Sequence, residues 1–274
     1  MLAKIFSPII SSSPRLKRTV WRSWYEFLAR GYTQSDWTFM NYGYAEGDGD
    51  TLPRPISLQA DDEADRCSIQ LYQRVVGNVD LRGRTVLEVG SGRGGGSSFV
   101  ARYHDPKSVL GIDYSDNAVT LSQKRHKGIQ NLDFRQGDAE SLPCVDDAFD
   151  AVINVESSHC YGSMERFLSE VVRVLKPGGH FLWADMRLPQ QRDTLLGQFN
   201  DAGFEIVEET NIAPNVVLAL QRVQHTKRDT IQRYVPRFLR GYVEDFSGVP
   251  GTRVYESLRE GKVEYWRFAL RKPM

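Results

Sequence analysis

The chain lacks any apolar run approaching the ~20 residues that cross a bilayer, and residues 1–10 have neither the hydrophobic core nor the cleavage site of a secretory signal. Cysteine is scarce: Cys67, Cys144 and Cys160 are spaced for neither a disulfide framework nor zinc, which fits a reducing, cytoplasmic setting. An excess of one charge is also missing. The 35 Lys and Arg balance 35 Asp and Glu, so no net field draws the chain to nucleic acid. No internal repeat is present, and no obvious cluster of three acidic or amide ligands calls for a divalent metal. What is present is 274 residues, 41% apolar and 26% charged, enough for a full α/β core with additional segments around it.

The most informative stretch is Val86-Leu87-Glu88-Val89-Gly90-Ser91-Gly92-Arg93-Gly94, an apolar strand carrying an acid and running into a glycine turn that opens a helix. Such a turn brings backbone against a ligand with no side chain between, and the helix start offers free N–H groups. Gly90, Gly92 and Gly95 also satisfy the G-x-G-x-x-G spacing of dinucleotide-binding dehydrogenases, so the turn alone leaves two cofactor classes open.

The order of the downstream strands separates them. A second apolar strand over residues 108–113 ends in Asp113, twenty-five positions after Glu88 and placed to accept from a ribose diol. A third, over 132–136, is followed by Gly137-Asp138-Ala139, with the Asp placed for an adenine amine. A fourth covers 151–156. A helix over 167–175, stopped by Lys176-Pro177-Gly178-Gly179, precedes a fifth over 180–184.

In this order and spacing the motifs of residues 80–190 resemble a class I S-adenosylmethionine-dependent methyltransferase. The resemblance implies a Rossmann-like α/β fold: a seven-stranded, mostly parallel sheet with helices on both faces. It implies that Glu88 and the loop residues Gly90, Ser91, Gly92 and Gly94 hold the methionine part of the donor. Asp113 with Tyr114 would take the ribose, and Asp138 with Ala139 the adenine, while Asn154 completes the donor set. No metal is required on this reading, and a hydride-transferring dehydrogenase becomes the minor alternative.

Proton removal points to two further residues. A neutral alcohol is a poor nucleophile and gains from a base of near-neutral pKa. His159 stands directly after strand four and Asp185 directly after strand five, at adjacent strand ends facing the donor crevice; a carboxylate beside an imidazole sets its tautomer and raises its proton affinity. The pair resembles the histidine and aspartate of natural-product sugar O-methyltransferases. The alternative for His159 is simple packing.

Segments outside the core bear on the acceptor. Residues 1–79 form a cap in which positions 16, 20, 24, 27 and 28 give one apolar helical face, suited to packing on the core or, with Trp21, Trp24 and Tyr25, to peripheral contact with an anionic membrane surface. Core residues 80–210 are expected to end in a sixth strand over 204–210. A lid over 211–261, helical through residue 240 with a break at Pro236 or earlier, then leads to the final strand within 262–274. The basic residues of the lid are either part of that lid function or a solvated face. Tyr42 and Tyr44 either close over the sulfonium or pack.

The texture of Trp21-Arg22-Ser23-Trp24-Tyr25, Phe39-Met40-Asn41-Tyr42-Gly43-Tyr44 and Val155 to Tyr161 is similar to the phthiotriol/phenolphthiotriol dimycocerosate methyltransferases and the glycopeptidolipid and fatty-acid O-methyltransferases. That likeness implies methyl transfer to an oxygen of a long-chain lipid, a hydroxy fatty acid or fatty acid of the glycopeptidolipid type. A sugar hydroxyl of a glycolipid comes second. A small-molecule N- or C-methyltransferase and a non-catalytic donor-binding protein stand further off, the latter having no use for the His159–Asp185 pair.

Overall fold

The computed structural model describes residues 38–47, 52 and 54–274. The amphipathic helix expected over residues 16–28, with its choice between core and membrane, lies outside them. Seven strands, β1 (Thr85–Val89), β2 (Ser108–Asp113), β3 (Leu132–Gln136), β4 (Phe149–Val155), β5 (Leu175–Arg187), β6 (Glu205–Asn211) and β7 (Glu264–Arg271), form one sheet in the order β3-β2-β1-β4-β5-β7-β6. Pairings from β3 through β5 are parallel, and β7 runs antiparallel to both β5 and β6. This is the seven-stranded, mostly parallel sheet expected.

The strands read as unbroken apolar runs because both faces of the sheet are covered. Successive residues point to opposite sides. Val86, Ile153 and Leu182 pack with Ile69 of α1 (Arg66–Val76) and Phe99 of α2 (Gly95–Tyr103). Leu87, Val152, Phe181 and Trp183 pack with Phe167 of α4 (Met164–Val174) and Phe199 of α5 (Arg192–Asp201). Helix α3 (Asp116–His126) follows β2; the Ser115 side chain caps it by accepting from the Ala118 N–H, and Lys124 and Arg125 oppose the dipole at its far end.

Several strand boundaries differ from expectation, β4 starting at Phe149 rather than Ala151 among them. Strand β5 runs from Leu175 to Arg187 rather than from His180 to Ala184, so Lys176-Pro177-Gly178-Gly179 forms a bulge in the strand instead of a loop ahead of it, and Asp185, expected directly after the strand, lies within its last residues, paired with Trp266 of β7. Phe149 pairs with Leu175 while Ala151 pairs with His180. The bulge is held by chain beyond β7, where the Gly178 N–H donates to the Lys272 carbonyl at 2.9 Å. Strands β6 and β7 each begin one residue later than expected.

Between them the chain folds into α6 (Ala213–Arg222), α7 (Gln224–Tyr234), α8 (Arg240–Phe246) and α9 (Arg253–Arg259). The helical run breaks first at Val223, which ends α6 and precedes α7, and again at Pro236. Because β5 and β6 are both antiparallel to β7, β6 points the same way as β5. The lid therefore leaves the sheet at the end where β1 to β5 terminate. Residues 38–47 run beneath it: the Asn215 Nδ2 donates to the Ala45 carbonyl at 3.0 Å and the Tyr42 hydroxyl to the Phe246 carbonyl at 2.9 Å. Met40 packs against a small lid core of Ile231, Val235, Val243 and Val249. Among the described residues, no helix is long and apolar enough to cross a membrane.

Candidate active site

Two adjoining cavities open at the C-terminal ends of the parallel strands. The first encloses ≈ 1280 Å³ of empty space, its mouth included, and is walled by the turn after β1 and by the ends of β2, β3 and β4. Gly90, Ser91, Gly92, Asp113, Tyr114, Asp138 and Ala139 all line it. At Gly92, whose φ is +53°, a side chain would meet no protein atom within 4 Å, so bare backbone faces the cavity. The buried Ser91 hydroxyl has no hydrogen-bond partner among the described residues. Asp113 closes the turn by accepting from the Gly92 N–H at 2.8 Å and the Ser115 N–H at 2.9 Å. A bare glycine wall, an unsatisfied hydroxyl and two acids at successive strand ends fit a nucleoside carrying an amino-acid tail.

Three residues expected to touch the donor stand behind the wall instead. Glu88 is buried and accepts from the Tyr72 hydroxyl at 2.6 Å and from the Ser97 hydroxyl; it reaches the cavity only through Tyr72, which lines it. Burial pushes the Glu88 carboxyl up to about 7, against those hydrogen bonds. Asn154 is fully buried, and its Nδ2 donates to the Val89 carbonyl at 2.8 Å, the Ser157 hydroxyl at 2.7 Å and the Tyr161 hydroxyl at 3.0 Å. It ties β4 to the glycine turn. Gly94 faces the Phe134 ring at the start of α2.

The second cavity is the larger, ≈ 2440 Å³ by the same measure, and lies between residues 38–42, the lid and the ends of β4 and β5. Phe39, Met40, Asn41 and Glu156 border both cavities. His159 and Met186 face the second. The His159 Nδ1 lies 2.7 Å from an Asp185 oxygen. The other oxygen of Asp185 accepts from the His159 N–H at 2.9 Å and the Ser158 hydroxyl at 2.7 Å, with an Arg187 guanidinium nitrogen at 3.3 Å. Asp185 is fully buried, whereas the imidazole remains 22% exposed.

Burial alone would hold the His159 pKa down, but the Asp185 charge, helped by the neighbouring Cys160, outweighs it and lifts the imidazole well above its ordinary 6.5. Asp185 moves the other way: burial would raise it, yet the His159 and Arg187 charges hold it below the usual carboxylate range. Asp185 thus fixes Nδ1 as the protonated nitrogen and leaves Nε2 as the proton acceptor whenever the ring is neutral. The sequence signal for this pair was its position after two adjacent strands.

Sequence reasoning missed Glu156, although it lies within the same run as His159. It takes a φ of +47°, unusual for a non-glycine residue, and one carboxylate oxygen accepts from the Tyr42 N–H and the Tyr265 hydroxyl, each at 2.8 Å. Burial pushes it up to about 7, against those two hydrogen bonds. Of the two tyrosines expected either to close over the sulfonium or to pack, Tyr44 is buried in the core and lines neither cavity, while Tyr42 lines the second.

Residues 87–183 match the methyltransferase domain family. Over 255 residues the chain is 38% identical to the phthiotriol/phenolphthiotriol dimycocerosates methyltransferase of Mycobacterium tuberculosis, covering 93% of each chain. Over 253 residues it is 38% identical to the fatty-acid O-methyltransferase of Mycolicibacterium smegmatis, covering 91% of this chain and 88% of that one. Among solved structures, geranyl diphosphate C-methyltransferase from Streptomyces coelicolor, in complex with Mg2+, geranyl diphosphate and S-adenosyl-L-homocysteine, superposes with a TM-score of 0.66 at 18% identity. The match covers 90% of this chain and 98% of that one. At that identity the likeness concerns the fold alone. The dehydrogenase alternative is set aside, and the chain belongs to the S-adenosylmethionine-dependent methyltransferases, in the group that includes the phthiotriol/phenolphthiotriol dimycocerosates and fatty-acid enzymes.

Proposed function

We propose that this enzyme methylates an oxygen of a long-chain lipid acceptor, a hydroxy fatty acid or fatty acid of the glycopeptidolipid type, with His159 as the base. The observation that carries the proposal is the His159–Asp185 hydrogen bond of 2.7 Å at the edge of the second cavity, beside the donor cavity. S-adenosylmethionine supplies an electrophilic methyl group on a sulfonium when bound. Gly90, Ser91 and Gly92 would hold its methionine part, Asp113 and Tyr114 its ribose, and Asp138 and Ala139 its adenine.

The chain's own residues do the rest. Neutral His159 accepts the hydroxyl proton at Nε2, and buried Asp185 stabilises the imidazolium that results. Holding the acceptor oxygen in line is worth roughly 7–11 kcal/mol in well-oriented systems. The lid and residues 38–42 would exclude water and give an acyl chain an apolar path past Met40, Ile231 and Phe246. The names of the two curated relatives support a lipid acceptor.

Incubation with labelled donor and a panel of hydroxylated and free fatty acids, sugars and glycolipid extracts, read by mass spectrometry, tests the reading. A methyl group on an acyl-chain oxygen is expected. Turnover confined to sugar hydroxyls would move the acceptor to the glycan; turnover confined to amines or carbon acceptors would overturn the proposal.

A further inference from the structure

Lys227 stands on the wall of the same cavity as His159. It lies between Val223, just ahead of α7, and Ile231, one helical turn to either side, while Thr226, Thr230 and Arg233 line the same cavity, so its ammonium enters a wall of mixed apolar and polar character. The side chain is half-buried and burial brings its amine down to about 8, which leaves it mostly protonated at neutral pH. Its Nζ donates to the Ser247 carbonyl at 3.1 Å and lies 5.5 Å from the centre of the Tyr42 ring. Among the described residues, no carboxylate comes within 4.0 Å of that nitrogen, although the protein pairs many of its surface lysines and arginines. An ammonium has three protons to donate; the Ser247 carbonyl takes one, Glu156 and Cys67 act on it only through their charge with no direct ion pair, and partial withdrawal from water without a paired counter-charge is costly. A lysine placed this way is prepared for an anion that arrives with a ligand.

The second observation is the base itself. A carboxylate is already ionised at neutral pH and needs no proton acceptor before it attacks a methyl group. As a base, the His159–Asp185 couple has a use only when the attacking oxygen belongs to a neutral hydroxyl. One cavity thus presents a device for a hydroxyl and, separately, a device for an anion.

We propose that Lys227 anchors a free acid group of the acceptor, so that the molecule methylated carries a neutral hydroxyl, met by His159, and a separate carboxylate, met by Lys227. The acceptor is then a long-chain hydroxy acid and the product a methyl ether that keeps its free acid. This rests on the lipid-acceptor reading and narrows it, excluding the simple fatty acid.

The test compares hydroxylated long-chain fatty acids with their methyl esters, which keep the hydroxyl and lose the charge, and with fatty acids lacking a hydroxyl. Wild-type enzyme should etherify the hydroxy acids and leave the unhydroxylated acids unchanged. Lys227→Met should raise KM for the hydroxy acids by about 10- to 100-fold, the scale of a hydrogen bond to a charged group, with KM for the esters and donor affinity unchanged. Lys227→Arg should keep the preference for acid over ester. A KM change equal for acids and esters, or none, would make Lys227 a structural tie to the lid and overturn the inference, as would methylation of the carboxylate. Wild-type turnover of none of these lipids would instead remove the lipid reading, and the inference with it.

Discussion

On the proposed mechanism, proton transfer rests on His159. Its replacement by Ala should lower kcat by roughly 10²–10⁴ while leaving donor affinity, measured by calorimetry, nearly intact. Full activity in that variant would remove the residue from its role. The imidazole must be neutral to accept a proton, and its pKa lies well above 6.5, so kcat should climb as pH rises beyond that value. Asp185→Asn removes the charge that lifts the imidazole, so the rising limb should move to lower pH as the maximum rate falls. A limb that stays in place under this substitution would show that another group controls it. The pair was legible in the sequence because each residue lies near the end of an apolar strand, Asp185 in the last residues of β5 and His159 in the turn just past β4, and a parallel sheet brings adjacent ends together. Glu156 and Lys227 were not. One is marked by a backbone conformation and the other by the fold of a lid, and neither has a local signature.

The glycine turn and the helix after it make the donor cavity, and two of their glycines should respond differently to a methyl group. At Gly92 a side chain meets nothing but requires a left-handed backbone, so Gly92→Ala should cost ~1–2 kcal/mol of stability and, by intruding on the cavity, weaken donor binding. At Gly96 it would come within 2.0 Å of the Tyr72 ring, which buttresses Glu88. Gly96→Ala should therefore lower thermal stability by the ~1–3 kcal/mol of an overpacked core. Thermal melts and calorimetric titration of both variants separate the two effects; a Gly96→Ala melt equal to wild type would show that the Tyr72 ring yields. Strands and the turn were readable from apolar runs and glycine spacing. The bulge at Lys176 to Gly179 was not, because the bond that holds it comes from Lys272, almost a hundred residues on. Residues 38–47 were equally opaque, their partners lying in the lid.

Across the molecule, buried titratable groups make stability depend on pH. Glu88 and Glu156, pushed up to about 7 from 4.5, bind protons more tightly when folded, so their contribution is lost as pH rises toward and through 7. His159, also raised, adds a loss in the same direction above 6.5. His104 and His126, lowered by burial to about 4, act with the opposite sign, but only below 6.5. The ligand-free protein should thus change little from pH 5 to 6.5 and lose thermal stability from pH 6.5 to 8. Scanning fluorimetry across that range checks the sign, and a Tm rising over the upper interval would contradict it.

The lid enters the chain between two strands that lie side by side, so its two ends are stapled to neighbouring rows of the sheet. Whatever spans that gap inherits a fixed address over the reaction centre, and its length matters little, since each doubling of a loop costs only about 0.6 kcal/mol in closure entropy. Strand β7 also carries Trp266 in register with Asp185, which clamps the base's orienting acid from the side opposite β4. On the proposed reading, substrate choice and proton chemistry are held by different stretches of one scaffold. Exchanging the covering helices would then change the acceptor and leave the methyl-transfer machinery the same.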